Sequence, residues 1–348
     1  MNALNARIAT HTSDTHTSDT RASEARAKAA TLLAPIQRDM QAMDALIRAR
    51  LHSEVVLVSQ VSEYIIGAGG KRLRPALLLL IAGALEYRGP DHLPLAAVVE
   101  FIHTATLLHD DVVDESELRR GRQTANALFG NAASVLVGDF LYSRAFQMMT
   151  VVGDLAVMRT LADATNVIAE GEVLQLLNIH DPDVDEARYM QVIRYKTAKL
   201  FEASARIAAI LAKASDKDEE CWAEFGRRIG TAFQLIDDVL DYSGATAEIG
   251  KNVGDDLREG KPTLPLIYLI EHGSAAQRAL VRDTVIDSAD ADFARIQAEI
   301  AGSGALEYTR DIAAREADAA RVIARRLPDS PYKHSLLELC SFAVEREY

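Results

Sequence analysis

Residues 101–115 read FIHTATLLHDDVVDE, an apolar segment that ends in a cluster of acidic residues. The surrounding stretch, 93–115, is apolar almost throughout, which predicts a helix buried on most of its faces rather than along one stripe. At the acidic end, Asp110 and Asp114 are four residues apart, so they lie on one helix face about one turn from each other. Like charges placed in this way repel. The pattern therefore indicates either a solvated helix end or two carboxylates that hold a divalent cation.

The same acidic pattern occurs again at the end of a second apolar segment. Residues 231–236 read TAFQLI, and DDVLD follows at 237–241. Two Asp-Asp-x-x-Asp segments, each after a buried helix, favour one shared site in which cations bridge carboxylates to a bound anion. The candidate cation-binding residues are Asp110 and Asp114 in the first segment and Asp237, Asp238 and Asp241 in the second.

Basic residues occur where they could reach the same anion. Residues 69–75 read GGKRLRP, a flexible turn that leads into a helix start, and Lys71 and Arg74 could converge there on one phosphate group. Each of the remaining donors is equally consistent with an ordinary surface charge. These further donors are Arg119, Arg120, Arg122, Lys196, Thr197, Lys251 and Lys261.

Two uncharged polar residues share the acidic faces. His103 lies seven residues before Asp110, two helical turns earlier on nearly the same face, and Gln234 lies three residues before Asp237. A lone histidine in an apolar segment is usually a core residue. The alignment with the acidic faces favours a ligand-binding role for both residues.

Composition limits the partners and the location of the chain. Lys and Arg number 38 against 51 Asp and Glu, and the net charge of −13 argues against nucleic acid as a partner. The longest apolar run, 76–85, is about half of the roughly 20 residues that a membrane-spanning helix needs. The N-terminal residues show no targeting pattern, so we expect a cytoplasmic protein.

The two cysteines carry no sign of a metal site. Cys221 and Cys340 have no metal-ligand spacing and are predicted to be reduced, packed thiols.

The spacing of apolar residues predicts the domain organisation. The pentapeptide HTSDT occurs twice over residues 11–20, and we predict a disordered polar tail at 1–25. From about residue 24 onward, apolar residues recur at spacings of three and four between short polar or Gly/Pro breaks, and strand signals are scarce. The sequence therefore predicts one all-α domain, 26–348, of roughly a dozen helices.

The motifs together resemble those of the trans-polyprenyl diphosphate synthases, and within them the long-chain, octaprenyl type. The likeness extends from about residue 30 to the C-terminus. It rests on GGKRLRP at 69–75, on the first acidic segment with RRGR at 119–122, on the Lys196-Thr197 pair, and on the second acidic segment with GKPT at 260–263. This combination is highly specific.

The resemblance implies a bundle around a central cavity, a homodimer and about three Mg2+ ions on the allylic diphosphate. The implied metal ligands are Asp110, Asp114, Asp237 and Asp241. The resemblance also implies a role for each matching residue. The implied catalytic residues are Asp110, Asp114, Lys196 and Asp237; the isopentenyl diphosphate site is Lys71, Arg74, His103 and Arg120; the allylic diphosphate site is Arg119, Lys196, Thr197, Gln234, Lys251 and Lys261.

The implied reaction is repeated condensation of isopentenyl diphosphate onto an allylic diphosphate such as farnesyl diphosphate, giving an all-trans product of about C40 for quinone (ubiquinone) biosynthesis. Short-chain relatives carry a bulky aromatic residue four or five positions before the first aspartate. Here Ala105 and Thr106 stand there, which predicts an open tunnel. Phe146 is a candidate for the tunnel floor, with Met148 and Met149 as alternatives and ordinary core packing as the other reading of all three.

Three alternatives stay open at the level of sequence. The product could be shorter or longer, from C20 to C50. Class I terpene cyclases also ionise allylic diphosphates, but they would not need a second basic site such as Lys71 and Arg74. A non-catalytic subunit of a heteromeric synthase would have no reason to keep two acidic clusters. We expect no stable membrane insertion, and only transient membrane contact for product release.

Overall fold

The computed structural model describes residues 30–119, 121–243, 254–287 and 293–346. The predicted tail, 1–25, lies outside the described residues, as do Arg120 and Lys251. In the described ranges, no helix is both long enough and apolar enough to cross a bilayer.

The described chain is an all-α bundle, which confirms the predicted fold class. The helices are α1 (Gln37–Arg50), α2 (Val56–Gly67), α3 (Leu73–Ala84), α4 (His92–Val113), α5 (Ala125–Phe129), α6 (Asn131–Val152), α7 (Leu155–Asn178), α8 (Glu186–Ile193), α9 (Lys199–Leu211), α10 (Asp216–Tyr242), α11 (Asp255–Arg258), α12 (Leu264–His272), α13 (Ala275–Asp287), α14 (Phe293–Ser303), α15 (Ala305–Ala324) and α16 (Pro331–Val344). A 3₁₀ turn, Ala34–Ile36, precedes α1. Strands β1 (Leu118–Arg119) and β2 (Arg122–Gln123) form a small antiparallel pair after α4.

The two helices that end in the acidic segments lie deep in the bundle. In α4, residues from Leu95 to Leu108 supply a nearly continuous buried surface, as the apolar run predicts. Helix α10 is buried over most of its second half and packs closely on α9. Each acidic segment is therefore carried to the cavity by a helix that its own apolar residues hold in place.

Helix α6 is apolar over most of its length but is buried on one side only. One side of α6 packs against α4, but Leu136 and Val151 on its other side are 66% and 80% exposed. Apolar content predicts that a surface will be covered, but it does not say whether the same chain covers it.

A π-helical turn, Arg194–Ala198, joins α8 to α9 and carries Lys196 and Thr197. Such turns interrupt the regular hydrogen bonding of a helix and are frequent at functional sites. Helix α7 approaches this turn closely at Gly171, where a Cβ atom would come within 2.7 Å of the Lys196 amide nitrogen. The missing side chain at Gly171 thus allows α7 to reach the turn.

We expect Gly226→Ala to destabilise the fold, because a Cβ atom there would lie 2.3 Å from the backbone carbonyl oxygen of Phe201, where α10 crosses α9. Overpacking of this kind lowers the free energy of unfolding by about 1–3 kcal/mol, which urea denaturation can measure. Gly302→Ala is the matched control, because no atom lies within 4 Å of a Cβ there. Equal unfolding free energies for the two variants would contradict the close crossing of α9 and α10.

Candidate active site

One cavity of about 760 Å³ collects most of the predicted site residues. It lies among α3, α4, α7, the π-helical turn and α10. The predicted residues that line it are Lys71, Arg74, His103, Thr106, Asp110, Asp114, Arg119, Lys196, Thr197, Gln234, Asp237, Asp241 and Lys261. Residues far apart in sequence thus meet at one place.

Of the predicted tunnel residues, only Thr106 lines this cavity. Ala105 is fully buried in the hydrophobic core beside it. The structure does not bring Phe146 to the cavity, because its side chain is 42% exposed on the outer face of α6. Met148 and Met149 are buried in the core and are not among the lining residues.

In the first acidic segment, the three aspartates divide into two kinds. Asp110 and Asp114 line the cavity, whereas Asp111 is buried behind it. The Asp111 Oδ1 atom accepts a hydrogen bond from Nε of Arg119 at 2.7 Å and forms an ion pair with Nη2 of the same guanidinium at 2.6 Å. Asn126 also donates to the Asp111 carbonyl oxygen at 3.0 Å. Asp111 therefore anchors the strand pair and α5 against the end of α4.

In the second acidic segment the middle aspartate, Asp238, also lines the cavity, although it is almost fully buried. Buried Asp238 accepts hydrogen bonds from the hydroxyl of Tyr189 and from Nε2 of Gln234, the latter at 2.9 Å. Burial, reinforced by the charge of Asp256, raises the pKa of Asp238 well above its usual range. Thr197 donates to Oε1 of Gln234 at 2.9 Å. Asp238 thus connects α8 to α10, and Gln234 connects α10 to the π-helical turn.

Asp241 fixes the segment that begins α11. Its Oδ1 accepts from the amide of Gly254 at 3.1 Å, and its Oδ2 accepts from the amide of Asp256 at 3.3 Å. Asp256 itself lines the cavity. The predicted metal ligand Asp241 therefore also positions a further carboxylate.

Two lysines reach the first acidic segment from different parts of the chain. Lys196 Nζ lies 3.7 Å from Oδ2 of Asp110 and 2.5 Å from Oε2 of Glu172. Lys261 Nζ lies 3.0 Å from Oδ2 of Asp114. It also forms a very short ion pair with Glu259. Each lysine is thus shared between two carboxylates.

The pKa values of the two lysines and of Glu172 are all raised by their surroundings. Burial alone would lower the pKa of Lys196, but Asp110 and Glu172 outweigh it and the pKa is raised. The pKa of Lys261 is raised by the same balance, in which Asp114 and Glu259 oppose burial. Burial, together with the charge of Asp110, raises the pKa of Glu172 to about 7. Both lysines are therefore cationic at neutral pH.

The predicted second basic site surrounds the start of α3. Arg74 Nη1 donates to Nε2 of His103 at 3.2 Å, and its guanidinium lies 4.4 Å from the ring centroid of Phe201. Burial lowers the pKa of Arg74 to about 10, although Glu100, Asp237 and Asp110 oppose the shift. Arg74 therefore stays charged at neutral pH. Lys71 Nζ lies 5.5 Å from the ring of Phe342.

Arg72, whose backbone is in the left-handed conformation, orients this basic site. Arg72 has φ of 46°, which is unfavourable for a residue with a side chain. Its guanidinium forms ion pairs at 3.2 Å with both Asp44 and Glu100, from α1 and α4. These contacts hold the turn that places Lys71 and Arg74 on the cavity.

Sequence reasoning missed several cavity residues, and Arg346 has the most contacts. Its side chain is only 4% exposed and donates to Oδ1 of Asp237 at 2.7 Å and to the carbonyl oxygen of Phe233 at 2.6 Å. The guanidinium also lies 3.5 Å from the Phe233 ring centroid. Nothing in the sequence singles out Arg346, because a single arginine outside the motifs looks like any other surface charge. Other ionisable residues of the lining that sequence reasoning missed are Arg72, Glu100, Glu172, Tyr189 and Asp256, and the implied metal ligands left out Asp238.

The cavity fits a divalent cation that is bound together with a phosphate. Its acidic lining offers hard oxygen donors, which Mg2+ and Ca2+ prefer. Among the described residues, no three His, Cys, Asp or Glu side chains converge closely enough to hold a metal ion by themselves. Mg2+ commonly uses one or two carboxylates and completes its coordination with water and substrate phosphates. The carboxylates present therefore suit cations that arrive with a diphosphate.

Comparison with known proteins identifies the relatives of this chain. Residues 55–300 match the family model described as polyprenyl synthetase. An octaprenyl diphosphate synthase of Escherichia coli is 51% identical over 311 residues, covering 89% of this chain and 96% of that relative. An all-trans-nonaprenyl-diphosphate synthase (geranyl-diphosphate specific) of Rhodobacter capsulatus is 44% identical, covering 90% and 97%. A crystal structure of polyprenyl synthase from Caulobacter crescentus, complexed with calcium and isoprenyl diphosphate, superimposes with a TM-score of 0.89 at 43% identity, covering 92% and 98%.

The division within the first acidic segment predicts opposite effects for neighbouring aspartates. Asp111→Asn should lower the free energy of unfolding by about 1–3 kcal/mol, because it weakens the buried contact with Arg119. Asp110→Asn should change that free energy by less than about 1 kcal/mol, because it removes one of several like charges at the cavity. Urea denaturation measures both values.

Binding of inorganic diphosphate with Mg2+ provides the second measurement for this pair. Asp110→Asn should abolish binding, whereas folded Asp111→Asn should retain it. A stable Asp111→Asn protein and an unstable Asp110→Asn protein would contradict the assignment of the two aspartates.

Proposed function

The chain belongs to the polyprenyl synthetase family, and we propose that it condenses isopentenyl diphosphate repeatedly onto an allylic diphosphate such as farnesyl diphosphate. The enzyme is a prenyltransferase that makes long-chain trans-prenyl diphosphates. The observation that carries the proposal is a single cavity lined by both acidic segments and by the separate basic pair Lys71 and Arg74. Two diphosphate substrates need two such regions, whereas an enzyme that only cyclises one diphosphate does not.

We assign the allylic diphosphate to the region between the acidic segments. Asp110, Asp114, Asp237 and Asp241 would hold Mg2+ there, about three ions by analogy with the family. When bound, Mg2+ neutralises charge on the leaving diphosphate. The cationic groups that would contact the diphosphate directly are Lys196 and Lys261, with Thr197 and Gln234 beside them. Lys251 is proposed on the sequence motif alone.

Arg119 has a different role from the one suggested by the motif alone. Its guanidinium is bound to Asp111, so we infer that it orients the first acidic segment while its exposed edge faces the cavity. The buried contact with Asp111 is the main one in the free enzyme. Arg119 is therefore a positioning residue as well as a candidate diphosphate ligand.

We assign isopentenyl diphosphate to Lys71, Arg74 and His103, with Arg120 proposed on the sequence motif alone. Arg74 and Lys71 supply positive charge, and the hydrogen bond from Arg74 orients the His103 ring. Binding in this region would hold the isopentenyl double bond towards the allylic carbon.

The reaction then needs no covalent intermediate with the protein. The allylic C–O bond breaks, and its electron pair leaves with the diphosphate. The double bond of isopentenyl diphosphate attacks the resulting cation, and loss of a proton to a departing diphosphate oxygen restores a double bond. The protein contributes positioning and stabilisation of the developing negative charge.

A product of about C40 is supported by the octaprenyl diphosphate synthase relatives. Because the nonaprenyl relative is 44% identical, a product one or a few isoprene units longer or shorter is the alternative. We propose that the product serves as a quinone side chain, the family expectation.

A homodimer is supported by exposed apolar side chains on α6 and α7. These side chains are Leu136, Phe146, Val151, Leu155, Val173, Leu176 and Leu177. Large apolar side chains exposed on two consecutive helices favour a protein interface, and a second copy of the chain is its simplest partner. We therefore place Phe146 in the dimer contact, while its role as a tunnel floor stays a prediction.

The proposed function predicts elongation by the purified chain alone. Incubation with farnesyl diphosphate, radiolabelled isopentenyl diphosphate and Mg2+ should give a product of about C40, whose length chromatography measures. Asp237→Asn is the inactive control. Elongation that occurs only after addition of a second protein would instead support a subunit of a heteromeric synthase.

The proposed tunnel predicts shorter products when its wall is enlarged. Thr106→Tyr adds a ring directly to the cavity, and Ala105→Tyr adds one in the core beside it. We expect both variants to turn over and to release products shorter than the wild-type product. If both still make the wild-type product, the growing chain does not pass this part of α4.

A further inference from the structure

Each lysine that reaches the first acidic segment has a second carboxylate behind it. Lys196 lies between Asp110 and Glu172, and Lys261 lies between Asp114 and Glu259. The two glutamates come from unrelated parts of the chain, α7 and the residue after α11. The same three-group arrangement is therefore built twice, once beside each cavity-facing aspartate of the segment.

In both arrangements the ammonium group is closer to the glutamate than to the aspartate. For Lys196 the two distances are 2.5 Å to Glu172 and 3.7 Å to Asp110. Lys261 lies 3.0 Å from Asp114 and closer still to Glu259. The glutamates thus draw the lysines away from the aspartates that would bind the cation.

We propose that Glu172 and Glu259 are positioning residues that keep Lys196 and Lys261 from pairing fully with the metal-binding carboxylates of Asp110 and Asp114. The proposal rests on the function proposed above. Without its glutamate, each lysine would pair with its aspartate alone. That undivided ion pair would compete more strongly with the incoming cation for the same carboxylate oxygens.

The glutamates also solve a second electrostatic problem. Once an aspartate is committed to a cation, the neighbouring lysine loses its partner, and an unpaired charge in a partly buried position is unfavourable. Lys196 and Lys261 are 19% and 14% exposed, so water replaces the lost partner only in part. A glutamate on the far side keeps each lysine paired whether or not the cation is bound. The remaining N–H groups of the lysine stay available to a diphosphate.

The surrounding fold places Glu172 for this task. It follows Gly171, the residue at which α7 comes closest to the π-helical turn that carries Lys196. Lys196 and Glu172 therefore meet because two backbone segments approach each other there. Glu172 lines the cavity, but its contact is with the lysine.

A double-mutant cycle tests the proposal without turnover. The quantity measured is the Mg2+ concentration that half-saturates binding of inorganic diphosphate, determined by calorimetry on the full chain. Glu172→Gln should raise this concentration by about tenfold. In a Lys196→Met background, the same substitution should change it less than about twofold, because no freed lysine remains to occupy Asp110.

A second Lys–Glu pair allows the same test, and a third pair outside the cavity supplies the control. Glu259→Gln with Lys261→Met should behave in the same way, which keeps the proposal testable if a Glu172 variant does not fold. Glu202→Gln breaks a Lys–Glu pair of similar exposure, with Lys199 at 2.6 Å, outside the cavity lining. It should leave the Mg2+ requirement unchanged.

The outcomes separate the alternatives. If Glu172→Gln raises the Mg2+ requirement equally with and without Lys196, the glutamate acts on the cation directly and the positioning role is overturned. An unchanged requirement in both single glutamate variants would overturn it as well. Failure of the wild-type chain to elongate, with the cycle as expected, would count against the proposed function and not against the positioning role.

Discussion

Repulsion among carboxylates that line one cavity is the constraint on which the rest of the structure depends. Asp110, Asp114, Asp237 and Asp241 share this space with Glu172 and Asp256. Unneutralised, such a group would oppose folding. The contacts of Lys196, Lys261 and Arg346 offset the repulsion in the free protein, and each of these cations comes from a different part of the chain. Binding of cations with a diphosphate would offset it in the working enzyme.

Helix geometry explains how one short motif serves both binding and folding. Residues four apart share a helix face, whereas the next residue along is rotated by about 100°. In the first segment this rotation turns Asp111 away from the cavity and onto Arg119. In the second segment Asp238 still lines the cavity, but its carboxylate is bound to Tyr189 and Gln234. The middle aspartates thus hold neighbouring elements in place, and the first and last aspartates of each segment remain on the cavity.

The buried helices give this arrangement its rigidity. A carboxylate can be held near other carboxylates only if its backbone cannot move away, and the apolar lengths of α4 and α10 supply that restraint. The close approaches at Gly171 and Gly226 add to it, because the neighbouring backbones leave no space for a side chain there. The exposed apolar side chains of α6 and α7 are the exception, because the described chain does not cover them.

The sequence by itself determined the all-α fold, the two acidic segments and the basic turn at 69–75, because periodicity and spacing are local properties of the chain. It also placed Asp110 and Asp114 one helical turn apart, at the end of α4. Only the tertiary structure decided which basic side chain pairs with which carboxylate. Arg346 lies far in sequence from its partner Asp237, and Lys196 lies far from its partner Glu172. The tertiary structure likewise decided that Phe146 faces outward, because an apolar side chain looks the same in sequence whether its own chain or another covers it.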